Sequence, residues 1–346
     1  MKNPQYNAKN EIIKTRFFTM LEHARSRDSK TVSSYAGAIH EFEVFTGFKD
    51  FKDFEASQAV GFKEYLSKKT NRLTGYPISK SYLRNYTTHV REFFKWLERQ
   101  KGYSKYIHCD DVEHFNLTRN DRNRAYATNY QDSYDITEIL ATIRAMPEIT
   151  ELEVRNKAML SLCVLTTPRI SALQTARIAS IKFCREFDSW SFLQNPNLVN
   201  TKYAKQIMAF FIGESEDIRN NIIRWKEYLV AKGFTDRDPL FPKIVPSFDP
   251  EGMQILNIEK IFIQSQTTMR TIFEAAFKAN GLPYFKPHSF RHSLVRAALR
   301  SNQSPLLISA LSENMGHTMD VGTIIGSYGT SPAHERAKVL KDFKLE

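Results

Sequence analysis

The sequence predicts a mainly α-helical protein of two domains, with a small antiparallel β-sheet in the C-terminal domain. Its 346 residues exceed the usual size of a single domain. Apolar residues recur at helical spacing in the first third, and short apolar runs separated by turn residues appear at 190–213. We therefore expect a helical domain at residues 1–115, a linker at 116–134, and a second domain at 135–346 that ends in a tail helix.

The first domain is predicted to contain two long amphipathic helices. In "SKTVSSYAGAIHEFEVFTGF" one helical face is apolar, formed by Val32, Tyr35, Ile39, Phe42 and Phe45. In "ISKSYLRNYTTHVREFFKWLERQKG" the apolar stripe is Tyr82, Tyr86, Val90, Phe93 and Leu97. Basic side chains lie mostly off this second stripe: Lys80, Arg84, Arg91 and Lys95. They form either an ordinary solvated surface or a face that contacts DNA, and they are the candidate DNA-binding residues.

The second domain is predicted to follow a polar linker rich in Asn, Asp and Arg. The segment "TELE", Thr150 to Glu153, has the spacing of a capping box before an apolar helix. Turn residues at 195–197 separate runs rich in Phe, Leu, Val and Ile, which predicts the small antiparallel sheet. The segment with "DPLFP" and "VPSFDPEG" is expected to be a loop, after which helices return to the end of the chain.

Charge and cysteine content narrow the class of function. Lys and Arg number 49 against 38 Asp and Glu, a net charge of +11. This excess favours a polyanionic partner, because each neutralised phosphate releases counterions.

Cys109, Cys163 and Cys184 lie far apart with no CxxC pair, which argues against a disulfide framework or a zinc ribbon and fits a reducing cytoplasm. No signal peptide or membrane-spanning apolar run is recognisable, so we expect a cytoplasmic protein without a membrane partner.

The segment "KPHSFRHS" concentrates groups that could carry chemistry. His288 and His292 stand four apart, as in the HExxH motif of zinc enzymes, but Ser289 occupies the position of the Glu. Because no nearby Cys or acidic residue offers a third ligand, we expect no metal site. From this segment alone two interpretations stay open. The histidines only stabilise a helix, or the cluster binds a phosphate.

The cluster belongs to an ordered series of cationic residues that ends in a tyrosine. With the motifs that hold them, its members are Arg169 in "TTPRISAL", Lys202 and Lys205 in "NTKYAKQIMAFFI", His288 and Arg291 in "KPHSFRHS", His317 in "NMGHTMD", and Tyr328 in "GSYGTSP". In this order the chain resembles the tyrosine recombinases, also called the phage integrase family. The resemblance covers most of the chain, since the first domain resembles the core-binding half and "PLFP", "KPHSFRH" and "GH" resemble the catalytic half.

The resemblance implies a two-domain, tyrosine recombinase-like architecture and a site-specific DNA recombinase, of the kind that serves integration and mobile elements. Such an enzyme cuts and rejoins strands through a 3′-phosphotyrosyl intermediate and a Holliday junction. The resemblance implies that Arg169 and Arg291 clamp the phosphate and that Tyr328 is the nucleophile. It also implies that His288 is the general base and that His317 is a ligand of the phosphate. Lys202 is the implied general acid, with Lys205 as the alternative. No metal or other cofactor is implied, because one phosphodiester is exchanged for another.

The resemblance also implies partners. Double-stranded DNA would be bound by a homotetramer on two sites, with accessory DNA-bending proteins possible, in the cytoplasm at the bacterial nucleoid. The tail "SPAHERAKVLKDFKLE" carries apolar residues at helical steps and is expected to dock on a neighbouring subunit. Folding back on its own domain is the alternative for so short a helix.

Three departures from the family pattern keep other functions open. Thr167 and Pro168 precede Arg169 where the family usually has Thr-Gly-x-Arg, and Ala172 stands where an acidic residue is common. The step from His317 to Tyr328 is about two residues longer than usual in this motif. A DNA-binding protein that keeps the fold without catalysis, or a type IB-like topoisomerase, is therefore the alternative. The target DNA sequence and the type of rearrangement stay open.

Overall fold

The computed structural model describes residues 6–71, 75–120, 133–201, 204–213, 215–248, 250–300, 305–316 and 333–343. The chain divides into two compact units, Met1–Asn129 and Tyr130–Glu346. Each unit has its own hydrophobic core. Among the described residues helices dominate both units, and the named strands all lie in the second one. The predicted mainly helical class with a small C-terminal sheet is confirmed.

The described part of the first unit is built mainly from helices. They are α1 (Ala8–Thr19), followed by a π-helical turn (Met20–Ala24), α2 (Ser29–Thr46), α3 (Ala56–Lys68), α4 (Lys80–Leu97) and α5 (Cys109–Glu113). The Asp28 side chain caps α2 by accepting a hydrogen bond from the backbone N–H of Thr31 at 2.8 Å. Gly47 ends α2 in the left-handed conformation, with φ +66°, which glycine adopts without strain.

The core of the first unit lies where α2 and α4 pack against each other. On α2 the predicted face is buried except for Phe45, which is half-buried. On α4 the lower part of the predicted stripe is fully buried: Val90, Phe93 and Leu97. Tyr82 and Tyr86 are half-buried, and their rings stack with centroids 4.0 Å apart. The helical periodicity therefore predicted both faces.

The second unit alternates helices with two small antiparallel sheets. Its helices are α6 (Ile136–Ala145), α7 (Glu151–Thr166), α8 (Ile170–Gln174), α9 (Glu216–Ala231), α10 (Gln266–Ala279), α11 (Ser289–Arg300), α12 (Pro305–Asn314) and α13 (Ala333–Lys341). Its strands are β1 (Ile181–Cys184), β2 (Ser189–Gln194), β3 (Ile207–Phe210), β4 (Pro242–Phe248) and β5 (Gln254–Phe262). The capping box predicted at Thr150 is present, because Thr150 and Glu153 cap α7 reciprocally.

The first sheet has the strand order β1-β2-β3, with both pairs antiparallel. Strands β2 and β3 lie on either side of the predicted turn at 195–197, and Ser191 pairs with Phe210. This part of the prediction is confirmed. Strand β1, a four-residue strand that pairs Ile181 with Phe192, was not recognised from the sequence.

The second sheet corrects a prediction. The segment with "PLFP" and "VPSFDPEG" was expected to be a loop, but β4 and β5 form an antiparallel hairpin. Pro242 and Pro246 hid the strand signal, although prolines are compatible with a strand that has one unpaired edge. Ile244 and Ile258 pair across the hairpin and pack against the core of the unit.

Helix α7 is the centre of the second unit. Its residues from Lys157 to Thr166 are all buried, so it is enclosed by its neighbours on every side. Trp225 of α9 is fully buried and donates a hydrogen bond from Nε1 to the Leu240 carbonyl at 2.7 Å. An enclosed helix has a fixed end, and the functional residues described below begin directly after it.

The tail helix α13 packs on its own unit. Its apolar side chains Ala337 and Leu340, together with Phe343 just beyond the helix, are buried in the core of the second unit. The backbone N–H of Gly213 donates to the Leu340 carbonyl at 3.1 Å. In the single chain the apolar side of the helix thus packs on its own unit, and docking on a neighbouring subunit stays a prediction for the assembled protein.

Candidate functional site

The candidate site begins where α7 ends. Thr167 has φ +41° and ψ +50°, the left-handed conformation, and turns the chain out of the helix. Pro168 is buried, and Arg169 follows in extended conformation as the residue that begins α8. The Arg169 side chain is half-buried. The turn thus places one guanidinium at the edge of a fully packed core.

A second guanidinium is tied to the same turn. Arg291 lies in the first turn of α11 and is only 5% exposed. Its Nε donates a hydrogen bond to the carbonyl oxygen of Thr167 at 2.9 Å. Segments 124 positions apart in sequence are joined by this bond. The motifs that hold Arg169 and Arg291 are therefore brought together by the fold.

The electrostatics of this pair favour a bound anion. Burial and, as a smaller cause, the nearby positive charge of Arg169 together lower the pKa of Arg291 to about 10. Among the described residues no Asp or Glu forms an ion pair with Arg169. Two neighbouring cations repel each other, and an anion between them relieves that repulsion. Guanidinium groups bind a phosphate as charged donors in a fixed fork geometry.

The end of α12 reaches the same place. Gly316 has φ +68°, and a β-carbon there would overlap Ile207 Cδ1 and lie 3.6 Å from Arg169 Nη1. Asn314 fixes this approach, because its Oδ1 accepts from the Phe210 N–H at 2.6 Å and its Nδ2 donates to the Phe210 carbonyl at 3.0 Å. Gly316, the residue before His317, is consequently held close to both the start of β3 and Arg169.

His288 lies one helical turn before Arg291. Its side chain is exposed, and its backbone carbonyl accepts a hydrogen bond from the Arg291 N–H at 3.2 Å. The rings of His288 and His292 meet edge to face, with centroids 5.5 Å apart. The exposed imidazole is therefore accessible from solvent, one helical turn along the chain from the buried Arg291.

The structure describes the remaining predicted site residues only in part. Lys205 is half-buried and precedes β3 by two positions, so it is close in sequence to the Ile207 that touches Gly316. Lys202, His317 and Tyr328 lie outside the described residues. The structure thus brings together the segments that hold Arg169, Arg291 and His288, and the catalytic roles of all these residues stay predictions.

Tyr134 supports the site and was missed from the sequence. Its hydroxyl accepts a hydrogen bond from the Phe285 N–H at 2.7 Å, and its carbonyl accepts one from Ser293 Oγ at 2.6 Å. Its ring stacks on Phe277 with centroids 3.9 Å apart, and burial raises its pKa to about 12. Tyr134 therefore braces the segment "KPHSFRHS" just before it begins and at its last residue. A single tyrosine within a polar segment gives no pattern that would reveal this role.

The candidate DNA-binding residues lie on α4 of the first unit. Lys80 begins the helix and is exposed, and Arg84 follows one turn later. Arg91 Nη1 lies 3.9 Å from Glu113 Oε2, and Lys95 forms an ion pair with the same carboxylate of α5. Ion pairs between solvent-accessible side chains are weak, so both cations can exchange Glu113 for a phosphate.

The described part of the chain has neither the features of a metal site nor those of a membrane-spanning segment. No group of three or more His, Cys, Asp or Glu side chains there has the arrangement of a metal site. No helix in that part is both long enough and apolar enough to cross a bilayer.

Comparison with known proteins identifies the fold. No family model matches the chain, and no curated protein matches it in sequence. The XerH site-specific recombinase bound to palindromic difH substrate, a post-cleavage complex, superposes with a TM-score of 0.59 at 15% identity, over 92% of this chain and 85% of that chain. The chain has the tyrosine recombinase fold.

Two further structures share this tyrosine recombinase fold. The lambda integrase(75-356) dimer bound to a COC′ core site matches with a TM-score of 0.55 at 16% identity, over 90% of this chain and 92% of that chain. A lambda integrase tetramer bound to a Holliday junction matches with a TM-score of 0.50 at 13% identity, over 91% of this chain and 79% of that chain. The likeness extends over both units, and at these identities it is a likeness of fold.

Proposed function

We propose that the protein is a site-specific DNA recombinase that exchanges strands through a covalent phosphotyrosyl intermediate. The observation that carries the proposal is the pairing of Arg291 with Arg169 at the end of the buried helix α7. Two guanidiniums held together on a packed core form a site for one phosphate. The solved structures of the same fold are recombinases and integrases bound to DNA.

The two arginines act on the charge of the reacting phosphodiester. In the pentacoordinate transition state, negative charge grows on the non-bridging oxygens. Arg169 and Arg291 donate hydrogen bonds to these oxygens and stay protonated at neutral pH. The bond from Arg291 Nε to Thr167 fixes the plane of its guanidinium before DNA binds, so little reorganisation is needed. His317 adds a further hydrogen bond to the phosphate.

The nucleophile and the proton carriers complete the reaction. Tyr328 Oη attacks the phosphorus while the bond to the 5′ oxygen breaks. An unperturbed tyrosine is ionised to only about one part in a thousand at pH 7, so His288 accepts its proton. The leaving 5′ oxygen receives a proton from Lys202. The product is a 3′-phosphotyrosyl ester and a free 5′-hydroxyl group.

The intermediate explains why no energy source is needed. The ester on Tyr328 preserves the energy of the broken phosphodiester, and the 5′-hydroxyl of a partner strand attacks it to restore a DNA bond. Two rounds of exchange pass through a Holliday junction. Four copies of the chain on two DNA sites would supply the four tyrosines, as the lambda integrase tetramer on a Holliday junction suggests by its fold.

The first unit supplies DNA affinity. Lys80, Arg84, Arg91 and Lys95 on α4 would neutralise phosphates of the duplex. Each such contact contributes about one to the slope of log affinity against log salt concentration. Replacement of Arg91 and Lys95 by Gln should therefore lower that slope by about two.

Covalent attachment to DNA tests the proposal. A nicked duplex that contains the binding site traps the phosphotyrosyl ester, because the short 5′ fragment diffuses away. We expect the wild-type chain to form a denaturant-resistant adduct and Tyr328→Phe to bind the same DNA without forming it. A wild-type chain that binds but forms no adduct would instead be a DNA-binding protein without catalysis. An adduct formed by Tyr328→Phe would show that another residue is the nucleophile.

The general acid is tested with the same trap. Lys202→Ala should slow cleavage of an ordinary phosphodiester and recover on a substrate with sulfur at the 5′-bridging position, since a thiolate leaves without a proton. Lys205→Ala, three residues further along the chain, is the matched control. Rescue of the Lys205 variant alone would transfer the role to Lys205.

A further inference from the structure

The loop between β2 and β3 is held in place up to Asn200, two residues before Lys202. Its first turn closes on Asn195, whose carbonyl accepts hydrogen bonds from the backbone N–H groups of Leu198 and Val199 at 2.9 and 2.8 Å. The Val199 side chain is buried and belongs to the core of the second unit. This part of the loop therefore has a fixed position on the packed unit.

Two side chains just after α8 hold the end of this turn. Thr175, the residue that follows the helix, accepts a hydrogen bond on Oγ1 from the Asn200 N–H at 2.7 Å. The Nε of Arg177 donates to the Leu198 carbonyl at 2.9 Å. The Arg177 guanidinium also lies over the Phe262 ring, 5.0 Å from the ring centroid, which limits its movement. One short stretch of chain thus binds the loop at two points.

The same stretch is joined through α8 to Arg169. The Arg169 carbonyl accepts hydrogen bonds from the N–H groups of Ala172 and Leu173 at 2.9 and 3.0 Å. At the other end of α8, Thr175 Oγ1 donates its own proton to the Ser171 carbonyl at 2.9 Å. Because a helix rises about 1.5 Å per residue, Thr175 lies about 9 Å along the helix from Arg169. The Thr175 hydroxyl therefore has a fixed place relative to Arg169 and bonds the loop at the same time.

We propose that Thr175 is a positioning residue for Lys202, the general acid of the proposed reaction. The inference rests on the proposed function. Two residues of extended chain span at most about 7 Å, so the bond to the Asn200 N–H restricts where the backbone of Lys202 can lie relative to Arg169. A general acid must reach the leaving 5′ oxygen in the correct geometry to contribute to the rate. Thr175 contacts no substrate atom and acts only through the loop.

Single-turnover cleavage of the nicked duplex at saturating protein tests this role with Thr175→Val, which removes the hydroxyl and keeps the branched shape. We expect cleavage of the ordinary phosphodiester to slow about tenfold. This is less than the roughly 10²–10⁴-fold contribution of a general acid, because Arg177 still holds the loop. On a substrate with sulfur at the 5′-bridging position, the variant should match the wild type, since a thiolate leaves without a proton. A substitution that merely weakened the fold would slow cleavage of both substrates.

Two further variants serve as controls. Thr175→Ser keeps the hydroxyl and should cleave both substrates at the wild-type rate. Thr271→Val is the matched control, because the Thr271 hydroxyl on α10 likewise donates to a carbonyl four residues earlier, that of Thr267 at 3.1 Å. It should also leave both rates unchanged. Thr175→Ala removes the hydroxyl a second way if circular dichroism shows that Thr175→Val folds poorly.

The possible outcomes separate this inference from the proposed function. A wild-type rate for Thr175→Val on the ordinary phosphodiester would overturn the positioning role. Equal slowing on both substrates would overturn it as well, because the hydroxyl would then serve a step other than proton delivery. A wild-type chain that forms no adduct would remove the proposed function and this inference with it. A wild-type chain that forms the adduct while Thr175→Val fails the sulfur test keeps the function and loses only the role of Thr175.

Discussion

The backbone of Thr167 supports the candidate site, whereas its side chain is unfavourable for stability. Its carbonyl accepts the hydrogen bond that fixes Arg291, and this geometry uses the left-handed conformation at φ +41°. A β-branched residue is strained there. The Thr167 hydroxyl is also buried without a hydrogen-bond partner in the described structure. Glycine, the usual residue at this position of the family motif, would keep the carbonyl and remove both costs.

We therefore predict that Thr167→Gly raises the free energy of unfolding by about 1 kcal/mol, after the entropic cost of glycine is subtracted. Thr167→Ala is the control, since it removes the hydroxyl and keeps the β-carbon. Its free energy of unfolding should rise by less than that of Thr167→Gly. Urea unfolding of the full chain, followed by circular dichroism, measures both variants. A Thr167→Gly protein less stable than the wild type would show that the threonine side chain contributes packing that outweighs its strain.

At the residue scale the sequence marks candidate residues for chemistry but not the residues that support them. Ordered motifs mark Arg169, His288 and Arg291, and the structure brings their segments together, while their roles stay predictions. Tyr134 was missed because its hydrogen bonds reach residues 151 and 159 positions away. Such contacts depend on how α6 and α11 pack, and no local pattern encodes that packing.

The support of α11 by Tyr134 leads to a prediction at the element scale. Tyr134→Phe keeps the ring that stacks on Phe277 and removes the oxygen that accepts from the Phe285 N–H. We expect a loss of about 1 kcal/mol in stability, because a buried N–H is left without its acceptor. We also expect a slower rate of adduct formation at unchanged DNA affinity, since the segment that carries His288 loses one of its two braces.

Single-turnover cleavage on saturating DNA, with affinity measured separately, checks this prediction. Ser293→Ala is the matched variant, because it removes the hydrogen bond to the Tyr134 carbonyl from the other side. The two variants should lower the cleavage rate to a similar degree. A Tyr134→Phe protein that cleaves at the wild-type rate while showing the loss of stability would confine Tyr134 to a purely structural role.

Elements with a strong periodic pattern were predicted, and elements without one were not. Helices α2 and α4 bury the faces that their 3.6-residue repeat indicates. Strands β4 and β5 were missed because β4 contains two prolines and its exposed end lacks polar alternation. Phe248 and Ile255 at that end are apolar and exposed, so the alternation that marks a half-buried strand is absent.

The packing of α2 on α4 contains a histidine that should make stability depend on pH. His89 stacks on Tyr35 with ring centroids 4.0 Å apart, and its Nε2 lies 3.2 Å from Ser34 Oγ. Its Nδ1 is buried with no partner in the described structure. Burial lowers the pKa of His89, although the nearby Glu92 opposes the shift.

A lowered pKa means that the folded state binds the proton of His89 less tightly than the unfolded state does. Well above a pH of about 6.5, the ordinary histidine pKa, His89 is deprotonated in both states and no stability is lost. As the pH falls below that value the unfolded chain takes up the proton first, so stability decreases. We predict that His89→Gln shows a smaller loss of unfolding free energy between pH 7.5 and pH 5.5 than the wild type. Equal losses in both proteins would remove His89 as a source of the pH dependence.

For the whole molecule, the two separate hydrophobic cores are the main physical fact. One core is built from residues of the first unit and the other from residues of the second, including the tail helix. Each unit can therefore lose its structure without directly exposing the core of the other, and domains with their own cores generally unfold as separate cooperative units. The two-domain organisation was predictable from length and the polar linker, whereas the place of the tail was not. Its apolar residues fit either a neighbour or the parent domain.

The position of the tail gives a prediction that distinguishes these cases in the free protein. Leu340 is fully buried in the core of the second unit, and its carbonyl accepts the Gly213 N–H. Truncation of such a leucine to alanine costs about 2–5 kcal/mol through lost burial and the cavity left behind. We predict that Leu340→Ala lowers the midpoint of the second unit's unfolding transition without DNA. Phe42→Ala, which truncates the core of the first unit, should lower the midpoint of the other transition.

Differential scanning calorimetry of the full chain measures both transitions in one experiment. The assignment of each transition follows from which variant moves it, so neither unit has to be isolated. If Leu340→Ala leaves both transitions of the DNA-free protein unchanged, the tail does not contribute to the core of its own unit in solution. Leu340 would then be available to a neighbouring copy. If the midpoint falls as expected, any exchange of the tail between copies must first overcome the free energy that holds Leu340 in its own core.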